Sequence, residues 1–150
     1  MKKIAALLMT LCLLTGFALA EADEVNWADV EASVVEAGIE GNFAAIADLG
    51  IKMFVPDGFQ EMELSEEELN QGYVCYLATE DESAGMIVSC TDGGGMALED
   101  FAAVMPQLGA TEVEAGTING IPVVTYELPA NDCVNVAMIT DAGYLVSFAF

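Results

Sequence analysis

The sequence predicts an α+β domain, a mainly antiparallel β-sheet built from consecutive hairpins and packed by helices. Three observations predict it. Short apolar runs come in pairs around turn residues, most clearly at Asn119-Gly120 and Asp141-Ala142-Gly143. Helical spacing is confined to brief segments between those pairs. At 55% hydrophobic residues the chain can also build a core despite a formal charge of −22, since disorder needs low hydrophobicity as well as high charge.

Residues 1–20 read as a secretory signal. Lys2 and Lys3 precede the apolar run Ile4 to Leu14, and the small residues Ala18 and Ala20 stand at the −3 and −1 positions of a cleavage site before Glu21. As a helix the apolar run rises about 16 Å, roughly half of a hydrocarbon core, so a cleaved signal is favoured over a retained anchor. Cys12 lies inside the run without the small neighbours of a lipid-modified cysteine. No second stretch of spanning length follows, and the expected location is secreted or in the cell envelope.

Residues 21–42 form an acidic lead or short helix, with Trp27, Val30 and Val34 at helical spacing and Gly38 as its stop. Residues 43–150 form the single α+β domain. Phe43–Ala47 and Ile51–Val55 flank Asp48-Leu49-Gly50 as a hairpin that Pro56-Asp57-Gly58 ends. Ser65 and Glu68 have the spacing of a capping box, which starts a short helix to about Gln71.

Tyr73–Thr79 and Met86–Thr91 then pair around Asp81-Glu82-Ser83-Ala84, a register that sets Cys75 opposite Cys90. Both faces of this hairpin are largely apolar, and such a pair is usually covered on both sides. Leu98, Phe101, Met105 and Leu108 mark a helix that Pro106 should loosen or end. Thr111–Ile118 and Ile121–Leu128 pair across Asn119-Gly120, with Val113, Val124, Tyr126 and Leu128 buried and Glu112, Glu114, Thr125 and Glu127 wet. The last hairpin aligns Val134, Val136 and Met138 with Phe150, Phe148 and Val146. The sequence stops on that apolar strand, which suggests a missing covering helix at the C-terminal end or a fragment.

Three segments carry a likeness to a known group: Phe54-Val55-Pro56-Asp57-Gly58-Phe59, Ala97-Leu98-Glu99-Asp100-Phe101 and Gly116-Thr117-Ile118-Asn119-Gly120-Ile121-Pro122. Through them most of residues 43–150 resembles the PsbP-like α/β/α sandwiches. The resemblance implies that fold and an accessory or binding role. It transfers no catalytic residue, because the matching segments are turn and packing patterns.

Composition excludes several chemistries. The chain has no histidine or arginine, so the commonest general base, the bidentate phosphate binder and the imidazole metal ligand are all missing. After the signal, 25 acids face Lys52 alone, a formal charge of −24. Such a field opposes nucleic-acid binding, which depends on Lys and Arg at phosphates. It likewise opposes an anion site at Asp92-Gly93-Gly94-Gly95, which has no following lysine.

Cys75, Cys90 and Cys133 remain after signal removal. A Cys75–Cys90 disulfide and three packed thiols are both open readings. A nucleophilic thiol lacks the nearby cation that would create a thiolate, and zinc lacks C-x-x-C pairs. The acid runs at Glu61 to Glu68 and Glu80 to Glu82 follow no calcium-loop pattern and read as solvated surface. No cofactor motif is present.

The composition therefore points to an exported, acidic, non-enzymatic binding or accessory module, with an envelope or extracellular protein or a cationic ligand as its partner. The alternative is a hydrolase working with carboxylates alone, or with a divalent cation they hold, on a neutral or cationic substrate. A third reading makes the acidity an adaptation to salt with no site. Export has a direct check: N-terminal sequencing of the secreted protein should begin at Glu21, and wholly cytoplasmic protein would refute it.

Overall fold

Two meanders make the main sheet. The computed structural model describes residues 27–46, 49, 51–118 and 120–150, so the signal segment with Ala18 and Ala20 lies outside the described residues. The chain runs α1 (Trp27–Glu36), β1 (Gly41–Ile46), β2 (Ile51–Pro56), β3 (Phe59–Glu61), α2 (Glu66–Asn70), β4 (Tyr73–Thr79), β5 (Gly85–Asp92), α3 (Leu98–Val104), a 3-10 turn (Met105–Leu108), β6 (Thr111–Ile118), β7 (Ile121–Leu128), β8 (Cys133–Ile139) and β9 (Tyr144–Ala149). The seven-stranded sheet has the order β3-β4-β5-β9-β8-β7-β6, and every neighbouring pair is antiparallel. The first meander ends at β5 and the second at β9, and these two last strands join.

Hairpin β1–β2 covers one face of this sheet. Ile46, Ile51 and Met53 pack there against Leu77, Met86, Val88, Val136, Val146 and Phe148, four of which have no exposed surface at all. The hairpin's other side carries Phe54, which meets Phe43 edge to face at 5.3 Å and packs with Val34 of α1. A hairpin, with a helix stacked on it, thus occupies the side where an α/β/α sandwich has a helix layer.

On the opposite face α3 and the 3-10 turn set Phe101 and Met105 over Val124, Tyr126 and Ala137. Pro106 has no amide to continue an α-helix, and the chain tightens into the 3-10 turn, which Gly109 closes at φ 91°. Strand β7 departs from its expected half-wet character: Ile121 and Val123 are buried under the hairpin while Val124 and Tyr126 are buried under the helix. Glu112 and Glu114 are exposed on the outermost strand β6, as expected.

The cysteine register is corrected by the structure. Cys75 stands opposite Val88, and Cys90 pairs with Val146 on β9. The turn explains the shift. Asp81 accepts hydrogen bonds from Thr79 Oγ1 at 2.8 Å, Ser83 Oγ at 2.7 Å and the Ser83 amide at 3.2 Å, so the strand resumes at Ala84, whose carbonyl accepts from Thr79. These bonds, with Ser83 the strongest, hold the Asp81 carboxyl below the usual carboxylate range. A bulge between Tyr73 and Cys75 moves the pairing further. Cys75 and Cys90 are left as diagonal neighbours, a relation with Cα atoms about 7 to 8 Å apart, beyond the usual disulfide span. All three described cysteines are free.

The capping box forms as expected. Glu68 accepts from the Ser65 amide at 2.8 Å, and Ser65 Oγ accepts from the Glu68 amide. Strand β3 was not expected; three residues after the Asp57-Gly58 turn are too short to show a period.

Phe148 sits at the centre of this packing, so Phe148→Ala should cost about 3–5 kcal/mol of unfolding free energy through lost burial and a residual cavity. Leu108→Ala, at a side chain 71% exposed, should stay within about 0.5 kcal/mol. Urea unfolding measures both, and equal losses would show that the core is not centred on β5–β9.

Candidate functional site

The path from β5 to β6 decides which part of the sheet stays open. The connection leaves the middle of the sheet and must reach its far edge, so α3 crosses the face over β7 and β8. No residue of β4 or β5 belongs to the cluster that packs under α3.

Two rows of cross-strand partners run over this face. One reads Val124, Ala137, Ser147, Ser89, Tyr73; its neighbour reads Tyr126, Asn135, Ala149, Ile87, Tyr76. Tyrosines stand at three of the four ends, and Ala137, Ser147, Ser89 and Ala149 between them are small. Ser147, Ser89 and Ala149 form the floor of a trough, with Tyr73 and Tyr76 as one wall and Tyr126 and Leu128 as the other. Five strands at their normal spacing make it roughly 19 Å wide, and its volume is about 390 Å³.

The bulge has a direct role here. Residues three apart on a regular strand face opposite sides. The extra residue at Val74 brings Tyr73 onto the trough side with Tyr76, while Val74 itself packs into the hairpin-side core.

Two of the lining groups are deeply buried. Tyr126 is 5% exposed and packs edge to face on Phe101 at 5.9 Å. Burial pushes its phenol above the ordinary value, and the nearby Ser147 side chain opposes that shift only in part. Asn135 is 4% exposed, the one buried polar residue among those described. Its Nδ2 donates to Cys133 Sγ at 3.4 Å, and no donor among the described residues reaches its Oδ1. No carboxylate and no lysine lines the trough.

The features singled out in the sequence lie elsewhere. Cys75 faces the hairpin-side core, where burial pushes its thiol up and the Glu61 charge adds to the shift; burial does the same at Cys90. A nucleophilic thiol requires the opposite direction. In the Asp92 to Gly95 loop two amides are already engaged, Gly93 with the Gly143 carbonyl at 2.9 Å and Gly94 with Asp92 Oδ1 at 2.9 Å. Gly93 is needed for closeness, since a Cβ there would meet the Gly143 oxygen at 2.6 Å. Among the described residues no three Cys, Asp or Glu are placed to hold a metal ion, and no helix is long and apolar enough to cross a membrane.

Sequence reasoning missed the trough residues themselves. The available signal was Asn135, a lone amide in the apolar run Cys133 to Ile139. No protein-family model matches the chain, and no curated protein matches it.

A buried carbonyl oxygen without a donor costs about 1–3 kcal/mol. Asn135→Leu should therefore raise the unfolding free energy of the free protein by about 1 kcal/mol, read as a higher urea midpoint at unchanged slope. A loss of similar size would show that the amide is a structural member of the core.

Proposed function

We propose that the chain is an exported binding or accessory module that takes its ligand in the trough between α3 and the β4 tyrosines. The observation that carries this reading is the composition of an uncovered central sheet face. An antiparallel face left to water normally carries polar side chains. Here Tyr73, Tyr76, Ile87 and Ala149 stand on it beside Ser89 and Ser147. Such a concave, mainly apolar surface with a few polar groups is the usual make-up of a small-molecule site, and 390 Å³ falls within the ordinary range for one. Its lining offers contact and hydrogen bonding, with tyrosine and one cysteine as its titratable groups.

The PsbP-like assignment belongs to the same proposal. It is supported by the three turn and packing segments named above and by an antiparallel sheet carrying a helix on one face.

Nile red, an uncharged apolar dye, tests the surface. It should gain fluorescence with the protein and shift the amide resonances of Ile87, Ser89, Ser147 and Ala149. Ser89→Trp, which fills the floor, should abolish the gain. Full enhancement in a folded Ser89→Trp protein, or shifts confined to β1–β2, would overturn the reading.

A further inference from the structure

The geometry points to an organic ammonium ion as the ligand class of the trough, a small amine whose N–H is accepted by Asn135 Oδ1 and whose apolar body lies across Ala149 and Ile87 toward Tyr76. The inference rests on the reading of the trough as the binding surface and goes beyond it by fixing the ligand's charge and polarity.

The first argument is the buried amide. Asn135 lines the trough at 4% exposure with its Nδ2 engaged by Cys133 Sγ and its Oδ1 unpartnered. A carbonyl oxygen only accepts, so the group that completes it must donate. A ligand carboxylate or phosphate would bring a second acceptor to the same place.

The second argument is charge. The chain carries a formal −22, and Lys52, the sole basic residue among those described, is exposed on the outer side of β2, beyond the hairpin that covers the other sheet face. No cation of the protein lines the trough. The summed field draws cations toward the surface and repels anions. With neutral walls, the trough itself supplies no counter-charge that would cancel this bias. Tyr126, the cross-strand partner of Asn135, stands at the ammonium end, and an aromatic face attracts a cation within about 6 Å.

The third argument is extent. Asn135 on β8 and Tyr76 on β4 belong to one cross-strand row and are three strand spacings apart, roughly 14 Å. Between them stand only Ala149 and Ile87. An ammonium at the Asn135 end leaves room for a short alkyl chain and a ring over that apolar stretch. A neutral alcohol of the same shape satisfies Asn135 but gains nothing from the field.

Three probes of one shape separate these terms: 2-phenylethylammonium, 2-phenylethanol and 3-phenylpropionate, titrated into ¹⁵N-labelled protein and followed at the amides of Ile87, Asn135, Ser147 and Ala149. At 20 mM salt the ammonium should bind at least fivefold tighter than the alcohol, and the carboxylate should cause no shift at those positions. Raising salt to about 0.5 M should shrink the advantage, because screening weakens the field. Asn135→Leu should weaken ammonium binding at least fivefold. Ser89→Trp, a change at a half-buried floor position, should remove it and serves if the first variant fails to fold. Alcohol and ammonium binding equally at both salts would overturn the ammonium assignment while leaving the trough as a binding surface. Shifts from none of the three probes would overturn both, and an unchanged ammonium affinity in folded Asn135→Leu would overturn the role of the amide.

Discussion

The pairing of β5 with β9 is the constraint on which the rest of the structure depends. Val88 and Phe148 face one another across it, both without exposed surface. The two strands are more than fifty residues apart in the chain, so closing them carries a loop-entropy cost that local hairpins avoid. The hairpin β1–β2 offsets that cost by burying Ile46, Ile51 and Met53 over the junction. Once the junction is made, the first meander must lie on one side of it and the second on the other. The β5–β6 connection then has a single route across the helix-side face, and the position of α3 follows from that route. The open trough is what remains of the face.

This dependence explains what was legible in the sequence. The hairpins β1–β2, β4–β5, β6–β7 and β8–β9 could be read, because turn chemistry and alternation are local: Gly120 at φ 80° and Gly143 at φ 83° stand where the sequence placed tight turns, and Val136 meets Phe148 as the last hairpin required; the β7–β8 pairing was not read. Register failed where two local devices acted together. The Asp81 bonds shortened the β4–β5 loop and the bulge at Tyr73 to Cys75 added a residue, so a pairing extrapolated from strand ends missed by more than one position. The candidate site was illegible for a different reason. Its floor and walls come from β4, β5, β7, β8 and β9, and only the β5–β9 junction brings Ser89 beside Ser147 and Ile87 beside Ala149. No sequence period encodes that adjacency.

The charge is distributed with the same economy. Acids occupy an exposed helix start and an outer edge, as at Glu66 to Glu68 on α2 and at Glu112 and Glu114 on the outer strand. On β6 they serve a second purpose, since a long exposed edge invites pairing with another chain. Charges, the bulge between Thr111 and Glu114 and the left-handed backbone at Glu112 all work against such pairing. The other edge, β3, is limited to three residues. Both edges are therefore poor templates for strand addition.

The trough face differs from the surrounding surface in kind. A solvated face of this chain would be expected to carry the acids that make up one-sixth of its residues, yet the trough has none. A packed face would be expected to satisfy its polar groups, yet Asn135 keeps an acceptor without a donor under nearly complete burial. Leucine or valine at 135 would match the apolar character of Val134 and Val136 beside it and remove that penalty. The small side chains at 147, 149 and 89 forgo burial that larger ones would gain. Each departure lowers the stability of the free protein, and the departures fall on two adjacent rows of one face. Folding alone provides no return for that clustering, whereas a ligand with an apolar body and a donor at one end would recover both losses at the same site.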